Sequence, residues 1–176
     1  QKKEEDLMKL EAFEYNLRHK TVPFAQTVLM NNGTHVPMVL TYNKNGIESA
    51  SELVDLFSSQ DKNIIFGIIE QYLKDAKAKA YVLITDAYMK KISKEDYEGM
   101  SSKQLDMMTE LGIANENDSV ECLSVSWGYK NEVESGGIIS SPYKKDDGVL
   151  VIDYENIVDT YDDETSAQGR AIGLLR

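Results

Sequence analysis

Two runs of β-branched and other apolar residues, separated by a turn sequence, constrain the fold of this chain more than any other feature. The runs are Val22–Met30 and Val36–Tyr42, and the pair Asn32-Gly33 lies between them. An Asn-Gly pair tolerates the positive φ angles of a tight type I′ turn, so the stretch predicts a β-hairpin. Pro37 cannot donate a hydrogen bond to a sheet, and its strand is therefore expected to lie at an edge or to start late.

Apolar residues spaced by three or four positions predict helices in four segments. The first, Glu4–His19, has a narrow apolar stripe, whereas Gln60–Ala78 has a broad apolar face and is interpreted as the central core helix. Two shorter helices are predicted at Ser49–Phe57 and Lys103–Leu111, the second after a pair of serines that can cap its first turn.

Apolar runs of strand length predict four more strands: Ala80–Met89, Val120–Tyr129, Ile138–Tyr143 and Val149–Tyr154. In Val120–Tyr129 bulky and small residues alternate, so one face of that strand is bulky and is expected to pack against the central helix. The last two strands flank a Lys-Asp-Asp-Gly turn sequence and are expected to form a hairpin.

These elements predict a single α+β domain over residues 1–176, with a mostly antiparallel sheet of about five to six strands. The N-terminal helix and the central helix are expected to pack on that sheet. Residues 1–20 are interpreted as a helical flank, and residues 159–176 as an acidic and then apolar tail that is free to move.

The predicted order of elements in the first half of the chain resembles that of the zinc deaminases. Those enzymes hold zinc with His and Cys in His-x-Glu and Pro-Cys-x-x-Cys patterns. This chain has two histidines, His19 and His35, and one cysteine, Cys122, and none of them stands in those patterns. Zinc-deaminase chemistry is therefore not expected. Glycine-rich phosphate loops are also missing, so no zinc, flavin or nucleotide cofactor is predicted.

The charge balance points away from nucleic acids and membranes. The chain has 30 acidic and 19 basic residues and a formal net charge of -11, whereas affinity for phosphate backbones comes mainly from Lys and Arg. The run Asp146–Glu164 contains eight acidic residues and no Lys or Arg; it is interpreted as a solvated segment, with docking to a basic partner as the alternative. The single cysteine, and no visible signal-peptide pattern, indicate a cytoplasmic location.

Three acidic residues are the candidate catalytic groups. Asp86 interrupts an apolar strand, and Glu121 and Asp153 lie within or beside other strands. If those strands are neighbours, the carboxylates could raise one another's pKa or bind a divalent cation weakly through oxygen ligands. A solvated position on a strand is the simpler interpretation of each residue.

The function that follows is a non-enzymatic domain acting through protein–protein or homo-oligomeric contacts. The narrow stripe of the first helix and the apolar segment Ala171–Leu175 are terminal elements that could dock on another chain. The alternative is a hydrolase that uses the carboxylates, with or without a divalent cation. Convergence of the acidic side chains in a pocket would favour the enzyme.

Overall fold

The computed structural model describes residues 2–46, 48–59, 62–89, 94–104, 119–130 and 134–160. Within these ranges the chain is an α+β domain with a long N-terminal helix and a curled antiparallel sheet, which confirms the predicted fold class. Its helices are α1 (Lys2–Asn16), α2 (Val22–Asn32), α3 (Val54–Ser59), α4 (Lys62–Asp75) and α5 (Lys94–Glu98). Its strands are β1 (Met38–Tyr42), β2 (Glu48–Glu52), β3 (Ala80–Met89), β4 (Val120–Lys130), β5 (Glu134–Asp146), β6 (Val149–Ile152) and β7 (Val158–Asp159).

Helices α1 and α2 belong to one long helix that is interrupted by the π-helical turn Leu17–Thr21. Pro23 follows this turn, and because proline has no N–H, the regular α-helical ladder cannot run through it unchanged. The wider turn accommodates the proline: the N–H of Val22 donates to the carbonyl of Leu17, five residues earlier. The predicted N-terminal helix is thus present, and the helical segment extends as far as Asn32.

The predicted hairpin over residues 22–42 is wrong, because its first half is α2 and only Met38–Tyr42 is a strand. Helical packing overrides the β-branched composition. Buried side chains in α2 follow the helical spacing rather than strand alternation: Val22, Ala25, Gln26 and Leu29. Gly33 has a φ of 73°, and its N–H donates to the carbonyl of Leu29 at 2.8 Å. The positive φ expected at this glycine is present, but it ends a helix.

The strands lie in the order β2-β1-β3-β4-β5-β6, and each neighbouring pair is antiparallel. β7 pairs with β5 at Ile139 and Ser140. The predicted hairpin between β5 and β6 is confirmed, with Asp147 and Gly148 at φ angles of 49° and 78° in its turn. β1 is not an edge strand; it starts after Pro37, which was one of the two expected arrangements.

The long helix covers the sheet face that carries the bulky residues of β4. The core on this face joins helix residues Leu10, Leu17, Val22, Ala25 and Leu29 to strand residues that include Leu123, Val125 and Trp127. A buried hydrogen bond, from the Gln26 amide to the Ser141 hydroxyl at 3.0 Å, also links α2 to β5. The bulky face of β4 therefore packs against the N-terminal helix.

Helix α4 covers the opposite face, so its predicted packing against the bulky face of β4 is wrong. Ile65, Ile69 and Leu73 of α4 form a second core with residues of β1 and β3: Val39, Tyr81 and Leu83. Residues one apart in a strand point to opposite faces. The N-terminal helix, which extends to Asn32, occupies the face that the prediction assigned to α4.

The shorter helices differ from the predictions in their bounds. Glu48–Glu52 is the edge strand β2, paired with β1, so the predicted helix over residues 49–57 is replaced by a strand followed by α3. Residues 102–104 are helical, and Ser101 and Gln104 cap each other reciprocally: each backbone N–H donates to the other's side-chain oxygen. The remainder of the predicted helix over residues 103–111, and most of the predicted tail, lie outside the described residues.

Candidate functional site

Asp86 lies near the end of β3 on the face covered by the long helix, because it pairs with Leu123 of β4. Its carboxylate accepts three hydrogen bonds. The Thr34 hydroxyl donates at 2.9 Å and the His35 backbone N–H at 3.3 Å to Oδ2, and the Tyr143 hydroxyl donates at 3.3 Å to Oδ1. The carboxylate thus links the segment after α2 to β3 and β5, and these hydrogen bonds hold the three segments together.

Glu121 pairs with Tyr88, two positions along the ladder from the Asp86 pair, so the two carboxylates share a face. Burial raises the pKa of the Tyr143 hydroxyl, and the negative charges of Asp86 and Glu121 raise that pKa further. Tyr143 therefore keeps its proton at neutral pH and acts as a donor.

Asp153 has partners of its own. Its backbone N–H donates to the carbonyl of Pro142 at 2.8 Å, and its carboxylate accepts a hydrogen bond from the Asn156 side chain at 2.7 Å. Among the residues that the structure describes, no group of three or more His, Cys, Asp or Glu side chains is placed to hold a metal ion. The three acidic candidates are therefore not assembled as one cation site.

Two of the remaining nucleophile and base candidates are buried, and the third, His19, is exposed. Cys122 is a buried free thiol, and burial raises its pKa to about 12, so it is not a ready nucleophile. The ring of His35 is buried, and its Nδ1 lies 2.8 Å from the carbonyl oxygen of Val36. The ring of His19 stacks against Tyr15 with 4.3 Å between centroids.

One row of large apolar side chains on α4 faces solvent instead of the core. Ile64, Ile68 and Tyr72 are 53%, 45% and 38% exposed. They recur every fourth residue, so they form one continuous ridge along the helix. We call this row the α4 ridge. Exposed apolar side chains that line up in this way are typical of interaction surfaces.

Gly67 lies beside the α4 ridge in the middle of the helix. Glycine there costs about 1 kcal/mol relative to alanine. A methyl group at this position would meet no atom within 4 Å among the described residues, so packing inside those residues does not require the glycine. The absence of a side chain leaves the backbone of α4 open to close approach from outside.

A cavity of about 470 Å³ lies on the sheet face that the N-terminal helix covers. It is bounded by α1, the start of β3, the end of β4 and residues 42–46. Its apolar wall includes the rings of Phe13, Tyr42 and Tyr129, and Lys9, Lys44 and Lys79 also line it. None of Asp86, Glu121 or Asp153 reaches it. The cavity therefore gives no support to carboxylate chemistry.

The α4 ridge could have been predicted from the sequence, but the cavity could not. The apolar face predicted for the central helix contained both the buried row Ile65, Ile69, Leu73 and the exposed α4 ridge, and it was assigned entirely to the core. A face of that width exceeds what one sheet contact covers, and this breadth could have indicated two surfaces. The cavity depends on lysines distant in sequence, which no local pattern identifies.

Comparison with known proteins adds no identification, since no protein-family model, curated protein or solved structure matches the chain. Among the described residues, no helix is long and apolar enough to cross a membrane.

Proposed function

We propose that this chain is a non-enzymatic cytoplasmic domain that acts by self-association, with the α4 ridge of one copy packed against the α4 ridge of a second. The observation that carries the proposal is the exposure of Ile64, Ile68 and Tyr72 in one line on a regular helix. Burying such side chains is favourable by about 25 cal/mol per Å² of apolar surface. The Asp86 carboxylate accepts hydrogen bonds from Thr34, His35 and Tyr143, which suits a role in holding the fold together and favours the non-enzymatic half of the proposal.

The low charge of the α4 ridge is what permits a second copy to occupy it. Two copies of a chain with a net charge of -11 repel each other. A contact between copies therefore needs a surface with little charge. The ridge residues carry none, and the charges of Glu70 and Lys74 on the far flank offset each other across 3.5 Å. Asp75, whose carboxylate accepts a hydrogen bond from Gln71, lies at the C-terminal end of the helix, away from the central Ile68.

The ridge also suits a twofold arrangement. Ile68 is the middle residue of the three, so in an antiparallel helix pair it faces its own copy while Ile64 of each copy faces Tyr72 of the other. Rows spaced by four residues interdigitate when two helices cross at about -50°. Gly67 lies in the neighbouring row, about 100° around the helix from Ile68, and has no side chain to obstruct a helix seated in the groove between the two rows.

Sedimentation equilibrium over a range of protein concentrations tests the proposal with a matched pair of variants. Ile68→Glu places a charge at the centre of the ridge, whereas Val149→Glu makes the same kind of change at an exposed valine of the β5–β6 hairpin. We expect the wild type and Val149→Glu to dimerise and Ile68→Glu to remain a monomer of 19.8 kDa. Equal association of both variants, or a monomeric wild type, would contradict the proposal.

Gly67→Ala gives an independent check because it separates folding from association. Alanine should stabilise the monomer by up to about 1 kcal/mol, since the added methyl group meets open space among the described residues. The same methyl group should weaken the dimer by obstructing close approach of the helices. A variant that is both more stable as a monomer and less associated supports the close contact; unchanged or tighter association would place the interface elsewhere.

A further inference from the structure

We propose that the cavity beneath α1 is a binding site for a small amphipathic anion, with a ring-sized apolar body and an acidic group at one end. This cavity lies on the opposite sheet face from the α4 ridge, so the inference is independent of self-association. At about 470 Å³ it has the size of ordinary small-molecule sites, which run from roughly 300 to 1,000 Å³.

The aromatic wall of the cavity favours a ligand with an apolar group. Phe13 lies edge-on to Tyr42 with 5.3 Å between ring centroids, and it is tilted against Tyr129 at 5.4 Å. Val82 and Leu17 extend the same wall. Because Phe13 contacts both tyrosine rings, the aromatic wall is already ordered, and an apolar group can pack against it without ordering new side chains.

The three lysines that line the cavity favour a ligand with a negatively charged group. Lys9, Lys44 and Lys79 line it, and none of the lining residues that the structure describes is Asp or Glu, although acidic residues outnumber basic ones in the chain by 30 to 19. The nearby Glu48 carboxylate is engaged by the Tyr42 hydroxyl. The Lys79 ammonium lies 5.5 Å from the centroid of the Tyr129 ring. None of the ion pairs formed among the described residues uses these three lysines. Their ammonium groups are the donors that we propose for a carboxylate, phosphate or sulfonate.

Two polar groups of the cavity have partners within the protein. The Tyr42 hydroxyl is hydrogen-bonded to the Glu48 carboxylate and to Thr21, and burial together with the negative charge of Glu48 raises its pKa to about 12. The backbone N–H of Asn45 donates to the Asn43 side chain at 2.9 Å, which fixes the turn at the mouth. Tyr42 therefore remains neutral at neutral pH, and its hydroxyl separates the Glu48 carboxylate from the cavity.

Fluorescence titration with anilinonaphthalene sulfonate tests this site, because the probe combines an aromatic body with one anionic group. Phenylnaphthylamine, the same body without the sulfonate, is the matched neutral probe. We expect saturable binding of one sulfonate probe per chain. The double variant Lys9→Gln/Lys44→Gln should weaken that binding by about tenfold and leave the neutral probe unaffected.

Further variants locate the binding. Lys145→Gln removes an exposed lysine of the distant β5–β6 hairpin and should change neither titration. Ala12→Phe adds a ring at an exposed position on the cavity rim and should abolish binding of both probes while the protein stays folded by circular dichroism. Binding that survives Ala12→Phe, that ignores the lysines, or that is lost in Ile68→Glu would overturn the assignment of the site to this cavity.

Discussion

At the scale of single residues, neighbours in the sequence have opposite environments. Ile68 is 45% exposed on the α4 ridge, whereas Ile69 is only 2% exposed against β1 and β3. A helix turns by about 100° per residue, so one step along α4 takes a side chain from solvent into the core. The two isoleucines of this pair thus test the core and the surface with the same chemical change.

Truncating each isoleucine should separate the two roles. Ile69→Ala removes buried methyl groups and should lower the free energy of unfolding by about 2–5 kcal/mol. Ile68→Ala should change monomer stability by no more than about 0.5 kcal/mol, the usual range at the surface. Urea denaturation at protein concentrations low enough to keep the chain monomeric gives both values. Similar losses in the two variants would show that the assignment of the buried row is incorrect.

Gly33 gives a second prediction at this scale. Its φ of 73° lies in the left-handed region, where a side chain costs about 1–2 kcal/mol. Gly33→Val should therefore destabilise the protein clearly, and Gly33→Asn should do so less because asparagine tolerates this region. Thermal unfolding of the two variants, followed by circular dichroism, provides the comparison. A valine variant as stable as the asparagine variant would argue against this helix end.

At the scale of elements, the two central strands are predicted correctly from sequence, whereas the segment before β1 is predicted as a strand and is a helix. The bounds of β3 match the prediction, and β4 extends it by one residue, because ladders on both sides of each strand reinforce the apolar pattern. Val22–Asn32 was misassigned because composition outweighed period: its buried positions follow helical spacing. The α4 ridge lay within a predicted helix, but its exposure depends on the face that the N-terminal helix occupies, which a local pattern does not encode.

The contact of α2 with β5 makes a prediction at the element scale. The buried hydrogen bond between Gln26 and Ser141 spans 115 positions of sequence, so it reports on tertiary packing alone. Gln26→Leu or Ser141→Ala leaves one buried polar group without this partner and should cost about 1–3 kcal/mol. The double variant should cost less than the sum of the two. A double-mutant cycle measures that coupling, and strict additivity would contradict the contact.

At the scale of the whole molecule, three groups couple stability to alkaline pH. Burial is the largest cause of a raised pKa at Tyr42 and Cys122, each to about 12, and at Tyr143. Above the pKa values of the unfolded chain, roughly 8.5 for Cys and 10 for Tyr, the unfolded state loses protons that the folded state keeps. These contributions are complete at neutral pH and are lost as the pH rises through the raised values.

We therefore expect the free energy of unfolding to fall steadily between roughly pH 9 and pH 12. Cys122→Ser removes one of the three groups, so its decline should be shallower across the first part of that range, even if its stability at neutral pH is lower. Denaturant unfolding at a series of pH values measures both slopes. Parallel slopes for the wild type and Cys122→Ser would show that the thiol does not contribute to the linkage.

The central claim is that two copies meet through the α4 ridge, and an isotope-filtered NOE experiment on mixed labelled and unlabelled protein tests it directly. Ile64 and Tyr72 are eight positions apart on one helix, roughly 12 Å along its axis, so they are too distant to give cross-peaks within one copy. We predict intermolecular cross-peaks from the Ile64 methyl groups to the Tyr72 ring, and between the Ile68 side chains of the two copies. A dimeric sample whose intermolecular cross-peaks all come from other surfaces, or a sample with none, would contradict the account.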